Sequence, residues 1–462
     1  MKKCSMETPT YICNILGLNI NFPYEPFPCQ VAYMGKVIQA FNTYTNAILE
    51  SPTGTGKTIS LLCAALAWLF NQKKSATNVS LKIVYATRSH TRISQIVEQI
   101  RSTSYHPQIA ILGSRDQECI YDRVVDDRST NNMIKKCRNA VFDEFDSCPF
   151  YHCKDIEDAA MYTIDELKQH CRKSGGCPYY ISRSEVEKAD IVLMPYSYIL
   201  NKRIKKSLKE HLTDWILIIE EADEINEVCE QAASFDWTIN KLRIAIKDLL
   251  EFQKLKKAFI EKQKNGLMNS LDDKLKKILE SISNDDITYL QNYIEALIHY
   301  MSNDLTDSSN IKICNANEIL SYIEYTVGIT KSNSDKYISI SYSVNTVLEF
   351  YGETGFSEWY YTIKTLFNHS DSLKHYCLYG RVECDNGIKI ETISLRCLNP
   401  GIIFNYVIRH LTPKFALLTS NVLSPFEQFE SQLEQKFPIQ LENTHSIESH
   451  QIFAAILNCA VI

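Results

Sequence analysis

Nine residues of this chain, from Glu50 to Thr58, read Glu-Ser-Pro-Thr-Gly-Thr-Gly-Lys-Thr and lie between two apolar stretches. The glycines let the backbone turn tightly, so that its N–H groups and the first turn of a following helix can face one phosphate group. In such a loop the lysine reaches the outer phosphates of a nucleotide and the threonine hydroxyl lies on Mg²⁺. Because the loop works only between a strand and a helix, the pattern predicts an α/β fold.

This loop departs from the strict pattern at one position, since Ser51 stands where the first glycine is expected. A glycine-rich turn formed by chance is therefore the alternative to a phosphate-binding loop. The predicted nucleotide contacts are Ser51, Pro52, Thr53, Gly54, Thr55, Gly56, Lys57 and Thr58.

Two later apolar stretches end in polar residues. The first stretch, Leu81 to Ala86, is followed by Thr87-Arg88. The second, Trp215 to Ile219, is followed by Glu220-Glu221. Parallel α/β sheets bind their ligands at the carboxyl ends of the strands. Beside a phosphate loop, one acid can hold the water shell of Mg²⁺ and the next can orient or deprotonate an attacking water. We predict that Glu221, Glu220 and Lys57 are catalytic; a pair of ordinary surface acids is the alternative.

Composition restricts the class of protein. The chain has 462 residues, 45% of them hydrophobic, and a formal net charge of −6. This length predicts about two to four domains. The negative net charge argues against a nucleic-acid-binding surface that is basic everywhere. It does not exclude a local basic groove. No apolar run approaches the roughly 20 residues of a membrane span, and no apolar leader core follows Met1, so we expect a soluble intracellular protein without membrane contact.

The cysteines suggest metal binding. In a reducing compartment the 16 cysteines are expected as thiols and not as disulfides. Cys119, Cys137, Cys148 and Cys177 lie between the two apolar stretches, and four thiolates there could hold zinc or an iron–sulfur cluster. None of them forms a close Cys-x-x-Cys pair. Spacing alone leaves buried free cysteines open, with Cys153 and Cys171 as rival ligands.

Further short motifs occur in a fixed order along the chain. They are Phe22 to Gln30, the phosphate loop, Leu112 to Arg115, Cys177 to Tyr180, Met194 to Tyr196, Ala233 to Asp236, Leu398 to Pro400 and Leu441 to Asn443. Taken together, they resemble the XPD-like iron–sulfur DNA helicases of superfamily 2, and within that family its telomere-elongation regulators. The similarity extends over nearly the whole chain.

The resemblance implies a role for individual residues. Gln30 matches a glutamine that helps to recognise adenine, Lys57 and Thr58 match the phosphate and Mg²⁺ contacts, and Glu221 matches the catalytic glutamate. Glu220 would hold Mg²⁺. The family's ATP-binding and DNA-binding roles then fall on these positions, with Thr87, Arg88 and Arg115 in segments that touch DNA. The resemblance also implies that a [4Fe–4S] cluster is held by Cys119, Cys137, Cys148 and Cys177.

It further implies an α/β architecture: a RecA-like phosphate-loop domain with a parallel sheet, an inserted iron–sulfur domain and a mainly helical arch. The expected boundaries are 1–104, 189–234 and 414–440 for three parts of the first motor domain, 105–188 for the iron–sulfur insertion, 235–413 for the arch and 441–462 for the start of a second motor domain. We expect that second domain to be truncated at Ile462, because too few residues remain to complete it. A motor of this kind needs both domains, so we do not expect this chain by itself to unwind DNA.

Four positions depart from the resembled pattern. Glu220 replaces an aspartate, Asp223 replaces a histidine, and Asn421-Val422 replaces a glycine and a threonine. A longer acid can displace Mg²⁺ from its octahedral geometry. These changes leave two functions open. The first is a nuclear ATP-dependent DNA helicase, moving 5′ to 3′ on single-stranded DNA or DNA junctions in genome and telomere maintenance. The second is a catalytically weakened module that binds ATP or DNA without unwinding. A zinc-stabilised structural protein is a third possibility.

Overall fold

The computed structural model describes residues 10–75, 81–125, 130–142, 147–151, 162–200, 212–264, 273–304, 311–314, 316–328, 334–351, 355–368, 375–385 and 388–443. Its contacts divide the chain into two compact units. The first unit comprises Met1–Glu118, His152–Cys229 and Pro400–Ile462, and the second comprises Cys119–Tyr151 and Glu230–Asn399. Most of the expected start of a second motor domain lies outside the described residues, as does Cys153.

The first unit contains a seven-stranded sheet. Its strands are β3 (Ala47–Glu50), β4 (Lys82–Thr87), β5 (Ile109–Ile111), β6 (Ile191–Pro195), β7 (Trp215–Glu220), β12 (Ala416–Ser420) and β13 (Ile439–Glu442). They lie in the order β13-β3-β12-β7-β4-β6-β5, and every neighbouring pair is parallel. A two-stranded antiparallel hairpin precedes the sheet, with β1 (Tyr11–Ile15) paired to β2 (Leu18–Phe22). Parallel strands all end at the same edge, so this order decides which loops meet.

Along the chain, the helices of this unit lie between its strands. They are α1 (Pro28–Thr43), α2 (Lys57–Ser75), α3 (His90–Arg101), α4 (Arg115–Glu118), α7 (Ile164–Ser174), α8 (Pro178–Ser184), α9 (Tyr196–Leu200), α10 (Ile225–Ala233), α17 (Gly401–Leu411) and α18 (Phe426–Leu433). Of these, α10 begins in the first unit and ends in the second.

The central strands of the sheet are buried on both faces. Strands β4 and β7 are buried at every residue, which is typical of parallel strands in α/β folds. Helix α2 is buried from Ser60 to Leu69 without interruption, and Phe41 and Trp68 make an edge contact with ring centroids 5.1 Å apart. This continuous core holds the strand ends rigidly, which fixes the loops that follow them.

The second unit combines helices with an antiparallel sheet. Its strands β8 (Phe235–Thr238), β9 (Ile311–Cys314), β10 (Tyr376–Asp385) and β11 (Ile388–Cys397) lie in the order β8-β11-β10-β9. Its helices are α5 (Asp122–Val125), α6 (Thr130–Phe142), α11 (Ile239–Lys264), α12 (Asp273–Ser281), α13 (Asn284–Asp304), α14 (Ala316–Val327), α15 (Ser334–Phe350) and α16 (Gly355–Asn368).

Aromatic side chains form much of the core of this second unit. The rings of Tyr293 and Trp359 meet edge to face with centroids 4.8 Å apart. The ring centroids of Trp237 and Trp359 are 6.0 Å apart. The chain enters the antiparallel sheet on β8 and leaves it on the neighbouring β11, where Phe235 is opposite Leu395. The ends of the segment from 235 to 397 therefore lie side by side.

The predicted fold class is confirmed: an α/β protein with a parallel sheet and a second, mainly helical part. Within the described ranges, no helix has both the length and the apolar character needed to cross a membrane.

Candidate nucleotide site

The phosphate loop connects β3 to α2, the context that the sequence pattern requires. Gly54 and Gly56 have φ values of 85° and 73°, in the left-handed region that favours glycine. Hydrogen bonds within the loop also stabilise its shape. The Ser51 and Thr55 hydroxyls are 2.8 Å apart, and the Thr55 hydroxyl donates to the Pro52 carbonyl at 2.7 Å. Ser51, the departure from the strict pattern, is thus one of the residues that shape the loop.

Gln30 lies in the first turn of α1 and is buried against this loop. Its amide nitrogen donates to the Thr55 carbonyl at 3.0 Å, and its amide oxygen accepts from the Phe27 N–H at 2.9 Å. A Cβ atom added at Gly56 would overlap the Gln30 amide nitrogen. The predicted adenine contact is therefore also a direct support of the phosphate loop.

Lys57 begins α2, and its side chain reaches the end of another strand. The Lys57 ammonium donates a hydrogen bond of 2.8 Å to Oδ1 of Asn421, which follows β12. Burial lowers the pKa of Lys57, while the charge of Glu220 opposes that shift. Asn421, a departure from the resembled pattern, is thus a direct partner of the lysine that is predicted to bind phosphate.

Glu220 and Glu221 end β7 beside the phosphate loop. The Glu220 carboxylate is fully buried and accepts a hydrogen bond from the Thr58 hydroxyl. Glu221 has a φ of 59° and a side chain that is 37% exposed. Burial, and then the charge of Glu220, raise the pKa of Glu221 above its usual value. A hydroxyl and a carboxylate in contact are oxygen donors of the kind that Mg²⁺ prefers, so Thr58 and Glu220 fit the predicted metal role.

Arg92, on α3, contacts this acidic pair and was missed by sequence reasoning. Its Nη2 atom lies 2.7 Å from Glu220 Oε1 and 2.6 Å from Thr58 Oγ1, and its Nε atom lies 3.8 Å from Glu221 Oε1. Strand β4, which leads into α3, is the neighbour of β7 in the sheet. That adjacency is the signal, since residues that follow neighbouring parallel strands meet at one edge.

Asp223 connects the acidic segment to β12. It lies in a short 3-10 turn, Ala222–Glu224, and its carboxylate accepts a hydrogen bond from the Ser420 hydroxyl. At the end of β13, the Asn443 amide nitrogen donates to the Cys29 carbonyl at 2.9 Å and to Ser51 Oγ at 3.3 Å. Asn443, which lies 392 residues after Ser51 in the sequence, therefore helps to hold the start of the phosphate loop.

The residues predicted to touch DNA lie at two places in the first unit. Thr87 is buried at the end of β4, while Arg88 is 61% exposed and pairs with Glu224 at 2.5 Å. Arg115 begins α4, and its guanidinium carbon lies 4.0 Å from the centroid of the Tyr179 ring. The guanidinium of Arg183 lies over the same ring at 3.4 Å. Both guanidinium groups are thus held against one aromatic ring, and Arg183 is also paired with the buried Glu118 at 3.0 Å.

Of the four cysteines predicted to hold a cluster, Cys119, Cys137 and Cys148 belong to the second unit and Cys177 to the first. Cys119 packs against the small apolar cluster that contains Cys137, and the Cys148 N–H donates to the Ala140 carbonyl at 2.7 Å. Cys177 lies in the first unit, at the N-cap of α8. Across the described part of the chain, no three His, Cys, Asp or Glu residues are arranged to hold a metal ion. The [4Fe–4S] cluster therefore stays a prediction.

These features define a class: a phosphate-loop protein with a parallel sheet, whose acidic strand end lies beside the loop. The DEAD_2 family matches residues 85–242. The "Regulator of telomere elongation helicase 1 homolog" of Anopheles gambiae is 29% identical over 97% of this chain and 52% of its own length. The human "Regulator of telomere elongation helicase 1" is 28% identical over 96% of this chain and 42% of its own.

This chain thus spans about half the length of the curated relatives it matches. A solved structure described as "Truncated XPD" has the same fold, with a TM-score of 0.50 and 14% identity over 89% of this chain and 99% of that one. The chain is therefore similar in sequence to the regulators of telomere elongation helicase and shares its fold with an XPD structure.

Proposed function

We propose that this chain binds ATP with Mg²⁺ and hydrolyses it as part of a DNA helicase. One observation supports the proposal above the others. Lys57, Thr58, Glu220 and Glu221 lie at the carboxyl edge of one parallel sheet, with Thr58 hydrogen-bonded to Glu220. A phosphate loop beside an acidic strand end is the arrangement that phosphoryl-transfer enzymes use for positioning and charge stabilisation.

Nucleotide binding rests on the loop and on its first helical turn. The N–H groups of the loop and of α2 face the phosphates, and Lys57 exchanges its bond with Asn421 for one with an outer phosphate. Thr58 and Glu220 would hold Mg²⁺, and the ion would supply positive charge to offset the charge that develops on the phosphates. Gln30 orients the loop and, as the resemblance implies, the adenine.

Glu221 is the proposed base that orients and deprotonates the attacking water. Its side chain is partly exposed, so water can reach it, and its raised pKa makes it a better proton acceptor than an ordinary surface carboxylate. A general base of this kind typically contributes about 100-fold or more to the rate.

The proposed polymer substrate is single-stranded DNA or a DNA junction. Arg88 and Arg115 supply positive charge near the DNA-facing segments that the resemblance implies, and Thr87 lies beside Arg88. The names of the relatives refer to telomere elongation and helicase activity. For the whole protein we propose 5′-to-3′ movement, stimulation of ATP turnover by single-stranded DNA, and genome or telomere maintenance in the nucleus.

The [4Fe–4S] cluster on Cys119, Cys137, Cys148 and Cys177 is part of the proposal only through the resemblance. Anaerobic purification followed by iron and sulfide analysis tests it. About four irons and four sulfides per chain, with broad visible absorbance, would support the cluster. Zinc without sulfide would support a structural metal site instead, and neither metal would leave the cysteines as thiols.

The proposed hydrolysis is tested by Glu221→Gln. We expect ATP turnover in the presence of single-stranded DNA to fall about 100-fold, because the base is lost, while nucleotide affinity changes little. Glu227→Gln, six residues along at an exposed position, is the matched control and should keep the wild-type rate. Equal turnover in wild type and Glu221→Gln would contradict the assigned base.

The weakened binding module is the second candidate, and two contacts favour it. Lys57 is held by Asn421, and the catalytic acids are held by Arg92. This candidate predicts ATP binding that disappears in Lys57→Ala, with no turnover above background in wild type. Detectable DNA-stimulated turnover that Lys57→Ala abolishes would exclude it.

A further inference from the structure

The Arg92 guanidinium lies on the same oxygens that the proposed magnesium site uses. Its Nη2 atom is 2.6 Å from Thr58 Oγ1 and 2.7 Å from Glu220 Oε1, and its Nε atom is 3.3 Å from Glu220 Oε2. Arginine presents its donors as a rigid planar fork, which suits a carboxylate contacted at both oxygens. Arg92 therefore donates hydrogen bonds to Glu220 and Thr58 at the same time.

This contact compensates a charge that would otherwise be costly. The Glu220 side chain is fully buried, and a buried carboxylate needs a cation or several hydrogen bonds. Arginine is not deprotonated in proteins, and the Arg92 guanidinium supplies this cation through hydrogen bonds to both Glu220 oxygens. Arg92 is thus a permanent positive charge at the acidic strand end.

Magnesium and this guanidinium cannot occupy the site together. Mg²⁺ binds its oxygen ligands at about 2.1 Å in near-octahedral geometry. A nitrogen within hydrogen-bonding distance of both Thr58 Oγ1 and Glu220 Oε1 fills the space between those oxygens. Either cation satisfies the acid, and each excludes the other.

The Arg92 side chain also has an alternative position available to it. Its side chain is 23% exposed, and its Nη1 atom already donates to Gln95 Oε1 at 3.0 Å, one turn further along α3. A rotation about the side-chain torsions can move the guanidinium towards Gln95 and solvent without moving the helix. The exchange of cations therefore needs only a change in one side chain.

We infer that Arg92 is a resident cation of the magnesium site, which Mg²⁺ must displace when the nucleotide complex forms. This inference rests on the proposed function, since it assumes that nucleotide binds at the phosphate loop. Its consequence is regulatory. Arg92 raises the Mg²⁺ concentration that tight nucleotide binding requires, and it supplies positive charge to the phosphates when Mg²⁺ is scarce.

The experiment is a magnesium titration of nucleotide binding, which needs no turnover. A fluorescent ADP or ATP analogue is bound to wild type and to Arg92→Gln, from excess EDTA up to millimolar Mg²⁺. We expect Arg92→Gln to reach half of its Mg²⁺-dependent affinity gain at roughly tenfold lower Mg²⁺, the size of one charge-assisted hydrogen bond. In EDTA we expect Arg92→Gln to bind the analogue more weakly than wild type.

Two further variants separate this role from a structural one. Arg92→Lys keeps the charge but loses the fork, so its Mg²⁺ midpoint should lie between those of wild type and Arg92→Gln. Arg101→Gln removes a positive charge from the other end of α3, where Arg101 pairs with Glu98 and Glu166, and it should leave the midpoint unchanged. Thermal unfolding of all four proteins verifies that each is folded at the titration temperature.

The outcomes are distinct for the inference and for the function. Equal Mg²⁺ midpoints in wild type, Arg92→Gln and Arg92→Lys, with nucleotide bound by all three, overturn the inference and leave the proposed function intact. An equal shift in Arg101→Gln also overturns it, because a general charge effect would then be sufficient. No binding by any protein at any Mg²⁺ concentration overturns both.

Discussion

At the scale of single residues, the two glycines of the phosphate loop have different tasks. Both have positive φ values, so a side chain at either position strains the backbone. Their surroundings differ, however. A Cβ atom at Gly54 meets nothing within 4 Å, whereas a Cβ atom at Gly56 overlaps the Gln30 amide. Gly54 therefore serves the turn alone, and Gly56 also makes room for the side chain that supports the loop.

This difference gives a paired prediction. Gly54→Ala should cost about 1 kcal/mol of unfolding free energy, from the backbone alone. Gly56→Ala should cost more, about 2–3 kcal/mol, because Gln30 must leave the Thr55 carbonyl as well. Chemical denaturation without nucleotide measures both. Equal losses in the two variants would show that the Gln30 contact contributes nothing to stability.

At the scale of elements, helix α7 is tied to α3 by one acid. Glu166 is the third residue of α7 and forms a capping box with Thr163, whose N–H donates to it at 2.8 Å. Arg101, the last residue of α3, donates to the same carboxylate at 2.6 Å. The hydrogen bond from Arg101 and those from Thr163 lower the pKa of Glu166, although partial burial opposes them.

A lowered acid pKa has a defined effect on stability. The contribution of Glu166 is fully present above its ordinary pKa of about 4.3 and is lost as the pH falls through its lower value in the folded protein. We expect Glu166→Gln to lose about 1 kcal/mol at pH 7. The difference from wild type should shrink below about pH 4, as urea unfolding at several pH values can measure.

Glu98→Gln is the control for this prediction. Glu98 also pairs with Arg101, at 2.5 Å, but within one helix and with a side chain that is 63% exposed. It has no capping role, so its removal should cost only a few tenths of a kcal/mol. A loss as large as that of Glu166→Gln would assign the effect to Arg101 and not to the cap of α7.

Elements were more predictable from sequence than the way they meet. The strands that flank the phosphate loop and the acids are apolar runs, and their types follow from pattern and length. Strand order does not follow from local pattern. The contact of Arg92 with Glu220 depends on β4 lying beside β7, and that of Lys57 with Asn421 depends on β12 lying beside β3. Local motifs predicted the phosphate loop and the acids, whereas the contacts of Arg92 with Glu220 and of Lys57 with Asn421 were not predicted.

At the scale of the whole molecule, the second unit is largely an insertion into the first. The chain leaves the first unit after Cys229 and returns at Pro400. Between these points, β8 and β11 run side by side, and the Cys397 N–H donates to the Ser234 hydroxyl at 2.9 Å. Directly opposite residues in an antiparallel pair are about 5 Å apart. A short linker can therefore replace the segment.

We predict that a chain in which residues 235–397 are replaced by a short Gly-Ser linker keeps the parallel sheet. It should unfold cooperatively and bind a nucleotide analogue within about threefold of the wild-type affinity, because every described contact of the phosphate loop lies in the first unit. Circular dichroism and fluorescence titration measure these properties. A variant that shows no cooperative transition would mean that the first unit depends on the inserted one.

The strand order of the parallel sheet also has a consequence for biosynthesis. Strand β3 leaves the ribosome early, but its neighbours β12 and β13 are made roughly 370 residues later. At about 5–20 residues per second, β3 waits on the order of 20–70 seconds for them. During that interval the phosphate loop has neither Asn421 nor Asn443 beside it. The nascent chain therefore presents an incomplete apolar sheet to chaperones, and nucleotide can act as a folding ligand only after β12 and β13 have been made.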